Sequence, residues 1–135
     1  NIPNKLVDIT VNEIDKTYAV NQRGLIICTQ EAVSHMKKKG DGVVINLSSE
    51  SGLEGSIGQS IYSATKAAVY SLTRSWAKEL GPLGIRVVGI APGPLEETGM
   101  TNNTYMSALA TARGQNINQI KNSYSSAIPL QRPGH

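Results

Sequence analysis

The chain has 135 residues, of which 39% are hydrophobic and 17% charged, a composition that suits a globular protein rather than a disordered one. Its net charge of +3 is weak, and the one basic cluster, Lys37–Lys39, precedes a glycine at a predicted helix end, so we expect no nucleic-acid partner. No apolar run reaches the length of a membrane span and no signal peptide is visible at the Asn1 end, so no membrane partner is expected. A single cysteine cannot form an internal disulfide, which favours the cytoplasm, and His35 and His135 have no neighbours at ligand spacing, so we predict no metal site.

The first predicted element is a long helix from Thr10 to Gly40. Thr10 and Glu13 form a capping-box pattern, and Gly40 is a typical helix end. Side chains at steps of three and four predict one buried stripe, made of Ile14, Tyr18, Asn21, Leu25, Cys28, Ala32 and Met36. Cys28 is therefore predicted to be a core residue. Asn21 is the polar exception, and a buried amide needs partners, so it is either a structural polar group or part of a site.

Two short apolar runs predict strands. Residues 43–47 and 85–91 are rich in β-branched side chains, as is typical of strands buried on both faces of a parallel sheet. Alternation with helices predicts an α/β fold with parallel crossovers. Ligands bind beyond the carboxyl ends of such strands, which is where Ser49 lies. The glycine-containing segment 50–59 between the first strand and the next helix is expected to be a flexible connection.

The next predicted helix, residues 60–80, carries Tyr62 and Lys66 four positions apart, on one face. At about 4 Å and an effective dielectric constant of about 20, an ammonium would attract a phenolate by about 4 kcal/mol, which corresponds to roughly three units of pKa. We therefore expect Lys66 to lower the pKa of Tyr62 enough for proton exchange near neutral pH. Taken alone, the pair favours a surface lysine beside a half-buried tyrosine on an amphipathic helix. After the second strand, the polar segment 98–127 is predicted to form two short helices, at 104–113 and 117–126, in a flap over the strand ends.

These pieces, in this order, resemble the second half of a short-chain dehydrogenase/reductase. The phrases that carry the resemblance are Val20-Asn21 followed by Gly24, Val44-Ile-Asn-Leu-Ser-Ser49, Tyr62-Ser-Ala-Thr-Lys66, Gly84-Ile-Arg-Val87, Ala91-Pro-Gly93 and Ile128-Pro-Leu-Gln-Arg132. The resemblance covers residues 1–135 and implies a fragment of a Rossmann-type doubly wound parallel sheet, helix-strand-helix-strand plus a helical substrate flap. It also implies that the dinucleotide-binding half would precede Asn1, and we expect the 135-residue piece alone to be inactive.

The resemblance implies a role for each matching residue. The catalytic residues would be Asn21, Ser49, Tyr62 and Lys66: Ser49 would bond the substrate oxygen, Tyr62 would exchange its proton, Lys66 would bond the nicotinamide ribose, and Asn21 would hold a relay water. The cofactor would be NAD, with NADP not excluded, and it would contact Tyr62, Lys66, Pro92, Gly93, Leu95 and Thr98. The substrate would contact Ser49, Ser51 and Tyr62. Glu97 stands where the family has its carboxamide-binding threonine, so Thr98 can take that role only if the loop has an extra residue.

Within the family, segments 49–55, 75–80, 91–99 and 112–114 are similar to the subgroup that oxidises sorbitol 6-phosphate. This implies a polyol phosphate substrate, with Arg113, Lys121 or Arg132 available for the phosphate unless they are merely solvated. The alternatives are a 3-oxoacyl thioester reductase, another sugar or steroid alcohol dehydrogenase, or a non-catalytic dinucleotide-sensing protein on the same fold. Helices like those at 11–39 and 60–80 form tetramers in the family, so we expect a homo-oligomer, a dimer or a tetramer.

Overall fold

The computed structural model describes residues 2–134, so Asn1 and His135, the second histidine considered above, lie outside the described residues. Strands β1 and β2 pair in parallel, with Gly42 opposite Ile85 and Leu47 opposite Ile90, and helix α4 makes the crossover between them. The predicted α/β fold class is confirmed. The elements are α1 (Val11–Tyr18), α2 (Leu25–Lys39), β1 (Gly42–Leu47), α3 (Ser51–Glu54), α4 (Ser60–Leu80), β2 (Ile85–Ile90), α5 (Asn103–Arg113) and α6 (Ile117–Ala127).

The helices cover one face of the sheet. Val44, Ile85 and Val87 are buried on that face, in a core to which α2 and α4 contribute. On the other face Ile45 is 59% exposed and Val88 is 48% exposed. The prediction that both strands are buried on both faces is therefore wrong for residues 2–134. The strand sequence records that both faces are apolar, but it does not record what covers them.

The long N-terminal helix is interrupted. It begins with the predicted capping box, in which the Glu13 N–H donates to Thr10 Oγ1 and the Thr10 N–H donates to the Glu13 carboxylate, and it ends at Gly40. Between α1 and α2, however, the segment Ala19–Gly24 is π-helical, with more residues per turn than an α-helix. The segment therefore rotates the α2 side chains relative to those of α1.

The buried side chains of α1 and α2 differ in part from the predicted stripe. Tyr18 and Cys28, both in the predicted stripe, are exposed, whereas Thr17 and Thr29 are buried. The prediction that Cys28 is a core residue is therefore wrong. The physical reason is local to α2: from the partly buried Leu25, a step of three leads to Cys28 and a step of four to Thr29, and Thr29 is the one that packs inward.

Helix α4 matches its predicted range of residues 60–80 and leads into β2 through a 3₁₀ turn. Gly84 then adopts a left-handed φ of +77°, and Gly40, at the end of α2, has a φ of +71°. A Cβ atom on Gly84 would overlap the carbonyl oxygen of Gly40. The approaches to the two strands therefore pack backbone against backbone, which only glycine permits.

The two helices predicted within segment 98–127 are present as α5 and α6. They form a small core of their own around Leu109 and Ile120, both fully buried, with Tyr105 beside them. The segment from residue 50 to 59, expected to be a flexible connection, instead contains the short helix α3. Within residues 2–134, every helix is too short or too polar to cross a bilayer.

Candidate active site

The carboxyl end of β1 is fastened to both β2 and α4. Beyond the strand, the Ser48 N–H donates to the carbonyl of Ile90 over 2.7 Å, and the Ser48 hydroxyl donates to the Lys66 carbonyl over 2.7 Å. The Glu50 N–H donates to the Pro92 carbonyl over 3.0 Å. Ser49 lies between these anchored residues, so the strand end, α4 and the loop after β2 hold it at one corner of the sheet.

Tyr62 and Lys66 lie on the same face of α4, as their spacing predicts. The ammonium nitrogen of Lys66 is 5.7 Å from the centre of the Tyr62 ring, within cation–π range. It also donates to the Leu47 carbonyl over 2.8 Å. Burial lowers the pKa of Lys66, because desolvation penalises the charged ammonium. An ammonium has three N–H donors, so this contact leaves two for a ligand.

Ser49 is paired with a second hydroxyl. The Ser49 and Ser51 side-chain oxygens are 3.0 Å apart, and the Ser51 backbone N–H also points to Ser49 Oγ over 3.3 Å. When Ser51 donates to Ser49, the hydrogen of Ser49 is left for another acceptor. The start of α3, which the sequence did not predict, supplies this second hydroxyl.

A cavity of about 460 Å³ opens at this corner of the sheet. Its walls come from the end of β1, α3, one face of α4, the loop after β2 and both flap helices. The predicted site residues that line it are Ser49, Ser51, Tyr62, Lys66, Pro92, Gly93, Leu95 and Thr98. Side chains from segments far apart in the sequence are thus brought to one place.

Asn21 is not among the residues that line the cavity. Its side-chain N–H donates to Thr65 Oγ1 over 3.0 Å, and the neighbouring Gln22 amide donates to the Thr65 carbonyl over 2.6 Å. The Thr65 hydroxyl donates in turn to the Tyr62 carbonyl over 2.8 Å. Asn21 therefore contacts α4 from behind, between Tyr62 and Lys66. Its predicted role as the holder of a relay water stays a prediction.

The loop after β2 places Glu97 and Thr98 differently, while an extra residue relative to the family stays a prediction. Glu97 has a left-handed φ of +56° and does not line the cavity, whereas Thr98 does. Leu95 forms a parallel bridge with Gly134, which fixes this loop against the end of the described chain. Gly93 packs so closely on Glu50 that a Cβ atom would lie 2.8 Å from the carboxylate oxygen. The loop thus presents Thr98 rather than Glu97.

Several cavity residues were missed at the sequence level. Ser56, Gln59, Tyr105 and Tyr124 all line the cavity, together with Arg113, the one phosphate candidate that does so. The apolar spacing of the flap helices could have signalled Tyr105, because it begins the buried stripe of α5.

The other two phosphate candidates lie elsewhere. Lys121 and Arg132 are exposed, and neither is part of the cavity wall. Across the described residues, no group of three or more His, Cys, Asp or Glu side chains is arranged to hold a metal ion.

Comparisons with known proteins agree with this geometry. The profile of the short chain dehydrogenase family matches residues 2–108. The chain is 48% identical to the sorbitol-6-phosphate 2-dehydrogenase of Klebsiella pneumoniae over 144 residues, covering 99% of this chain and 54% of that protein. The chain spans about half the length of the curated relatives it matches.

Two solved structures are similar in both fold and sequence. The crystal structure of sorbitol-6-phosphate 2-dehydrogenase from Erwinia amylovora superposes with a TM-score of 0.83 at 27% identity, covering 97% of this chain and 51% of that one. A 3-ketoacyl-(acyl-carrier-protein) reductase from Brucella melitensis, complexed with NADH, gives a TM-score of 0.79 at 27% identity, covering 98% and 50%. The fold is a fragment of the Rossmann-type sheet of these enzymes, and the chain belongs to the short-chain dehydrogenase family.

Proposed function

We propose that the complete protein is a NAD(P)-dependent oxidoreductase that interconverts a secondary alcohol and a ketone by hydride transfer. The observation that carries this proposal is the meeting of Ser49, Tyr62 and Lys66 at one cavity, beyond the carboxyl ends of two parallel strands. A hydroxyl donor, a phenol and an ammonium in contact with that phenol are the groups that moving a proton to or from a substrate oxygen requires.

The cavity residues fit a nicotinamide cofactor. Lys66 keeps two N–H donors for ribose hydroxyls, and Thr98 presents a hydroxyl at the wall formed by the loop after β2. Pro92, Gly93 and Leu95 border the same wall. When bound, the cofactor supplies the two-electron acceptor or donor for the hydride. We propose that these residues orient the ring and that the dinucleotide's remaining contacts lie in another part of the domain.

The protein side chains then handle the proton. During alcohol oxidation, the carbinol C–H bond breaks with both its electrons, the O–H bond breaks, and Tyr62 takes the proton. Ser49 donates a hydrogen bond to the same oxygen and is itself held by Ser51. Lys66 stabilises the negative charge on Tyr62 after the phenol has lost its proton. In ketone reduction the same groups act in reverse, with Tyr62 as the acid.

We propose sorbitol 6-phosphate as the substrate and fructose 6-phosphate as its product. The 48% identity to the Klebsiella enzyme supports this choice. The similarity to a 3-ketoacyl reductase supports the second candidate, a 3-oxoacyl thioester. The deciding assay offers the complete protein sorbitol 6-phosphate, free sorbitol and an oxoacyl thioester with NAD or NADP, and follows nicotinamide absorbance. Turnover of the thioester without oxidation of sorbitol 6-phosphate would reject the first candidate.

A substitution at Tyr62 separates an enzyme from a non-catalytic dinucleotide sensor. We expect Tyr62→Phe to lower kcat by roughly 10²- to 10⁴-fold, the usual contribution of a general acid or base, with little change in cofactor affinity. Tyr70→Phe is the matched control, since Tyr70 is also half-buried on α4 but lies off the cavity. Equal activity of the two variants would favour the sensor.

We also propose that residues 1–135 form the second half of a single domain, with 98–127 as a substrate flap within it. The uncovered apolar face of the sheet supports this, because Ile45 and Val88 there need cover. The dinucleotide-binding half would supply that cover. We propose a homo-oligomer in which the outer faces of α2 and α4 meet those of other subunits, and sedimentation that finds only monomers would contradict it. The cytoplasmic location stays a prediction from the single cysteine.

A further inference from the structure

Arg113, the last residue of α5, holds its guanidinium at the cavity wall. One N–H donates to Ser56 Oγ over 3.0 Å, and the guanidinium carbon lies 5.8 Å from the centre of the Tyr124 ring. These contacts fix the side chain from two sides and use few of its five N–H donors. The rest are available to a ligand in the cavity.

A chain of hydrogen bonds runs from Arg113 across the cavity wall. The Ser56 hydroxyl, which accepts from Arg113, donates to Gln59 Oε1 over 2.6 Å. The Gln59 amide then donates to the hydroxyl oxygen of Tyr105. In each of these bonds the donor is the residue farther along the hydrogen-bond chain from Tyr105. The Tyr105 O–H therefore ends the chain at a wall of the cavity, and no acceptor among residues 2–134 takes its hydrogen.

Tyr105 stays a donor over the physiological range. Burial raises the pKa of Tyr105, and the nearby phenols of Tyr124 and Tyr62 raise it further. Tyr62, the candidate catalytic tyrosine, lines the same cavity as Tyr105.

Among residues 2–134, Arg113 has no acidic partner to neutralise its charge. Within residues 2–134, no carboxylate lies at ion-pair distance from its guanidinium. Two acidic residues line the same cavity, but Glu50 packs against Gly93 on the loop after β2, and Glu54 is exposed at the end of α3. A half-buried arginine without a carboxylate partner is well suited to an anion with several acceptor oxygens.

We propose that Arg113 and Tyr105 form the subsite for the anionic end of the substrate, a phosphate monoester on a polyol chain. This inference rests on the proposed function and deepens it, since it assigns one arginine of the flap to substrate selection. The guanidinium donates to the phosphate oxygens and the Tyr105 hydroxyl donates to the same group or to the adjoining substrate oxygen. Ser56 and Gln59 act as positioning residues.

Kinetics of the complete protein on two substrates test the subsite. We expect Arg113→Gln to raise KM for sorbitol 6-phosphate about 10- to 100-fold, the effect of losing hydrogen bonds to a charged group. Its kcat/KM for free sorbitol should stay within about 2-fold of the parent. The KM of Arg113→Lys for sorbitol 6-phosphate should lie between that of the parent and that of Arg113→Gln. Arg132→Gln makes the same change at an exposed site off the cavity. It should alter neither the KM for sorbitol 6-phosphate nor the kcat/KM for free sorbitol.

Binding measurements keep this test separate from the proposed function. Inorganic phosphate should compete with sorbitol 6-phosphate in the parent and much less in Arg113→Gln. Equal losses on phosphorylated and free sorbitol, or no loss on either, would overturn the subsite even if the protein is a dehydrogenase. If the parent oxidises no polyol, the proposed polyol phosphate substrate fails. Calorimetry with sorbitol 6-phosphate still decides: binding weakened by Arg113→Gln supports the subsite, and unchanged or undetectable binding overturns it.

Discussion

The strongest structural test of the candidate active site is a substitution at Thr65, a threonine that does not line the cavity. Thr65 is fully buried and lies between Tyr62 and Lys66 on α4. Its hydroxyl accepts from the Asn21 amide over 3.0 Å and donates to the Tyr62 carbonyl over 2.8 Å. Thr65→Val keeps the shape of the side chain and removes both bonds, so α4 loses its contact with the Asn21 amide and keeps the bond from the Gln22 amide to the Thr65 carbonyl.

The loss of stability in Thr65→Val can be estimated from these two hydrogen bonds. Each neutral hydrogen bond contributes about 0.5–1.5 kcal/mol, and water can reach the half-buried Asn21 amide that is left behind, so we expect Thr65→Val to lower the free energy of unfolding by about 2 kcal/mol. The effect on catalysis has another origin. A shift of about 1 Å in reacting groups can cost on the order of 100-fold, so we expect kcat/KM to fall about 10- to 100-fold.

The same helix provides the control. Thr73 accepts from the Asn46 amide over 2.9 Å and donates to the Val69 carbonyl over 2.7 Å, two turns beyond the site. Thr73→Val should therefore cost similar stability, measured by urea unfolding of the complete protein, while kcat/KM stays within about 3-fold. If Thr73→Val impaired turnover as much as Thr65→Val, or if Thr65→Val left turnover unchanged, the positioning argument would be refuted.

Three further predictions concern stability, each measured by urea unfolding of the complete protein. Gly84→Ala should lower the free energy of unfolding by about 3 kcal/mol or more, because the Cβ would overlap the Gly40 carbonyl. Gly40→Ala meets open space and should lower it by only about 1 kcal/mol, the cost of backbone strain. Equal losses would contradict the close approach of the two backbones. Burial raises the pKa of Tyr105, so its neutral phenol stabilises the fold fully below the ordinary tyrosine pKa of about 10, and this stabilisation is lost as the pH rises above that value. Tyr105→Phe should therefore reduce the loss of stability at alkaline pH. The same loss in parent and variant would argue against the burial. Ile45→Thr should lower the free energy of unfolding by about 2 kcal/mol if the rest of the domain covers the sheet. Val11→Thr, at an exposed helix start, should lower it by less than about 0.5 kcal/mol. Equally small losses would mean that the sheet face stays open.

The sequence predicted the features that local signals encode. The capping box at Thr10, the extent of α4 and the i to i+4 stacking of Tyr62 on Lys66 follow from residues within a few positions of one another. Convergence of Ser49 with that pair followed from a rule about parallel sheets, that ligands lie beyond the carboxyl ends of strands. These parts of the fold and site need no knowledge of distant contacts.

The features that were missed depend on contacts far apart in the chain. The π-helical segment is held by Asn21 and Gln22, which bond Thr65 more than forty residues away, and no local spacing reveals such a turn. The bond from Gln59 to Tyr105 likewise joins segments 46 positions apart. For the same reason, the exposure of one sheet face could not be deduced from apolar strands.

The catalytic corner is held by contacts that do not involve the uncovered sheet face. Lys66 is fixed twice to the end of β1: its ammonium donates to the Leu47 carbonyl, and its own carbonyl accepts from the Ser48 hydroxyl. These bonds lie between α4 and the strand end, on the side where the helices already pack. Contacts within residues 2–134 therefore hold the end of β1 and Lys66 in place. We therefore expect the proposed dinucleotide-binding half to supply cofactor affinity and cover for the sheet, rather than to position Lys66.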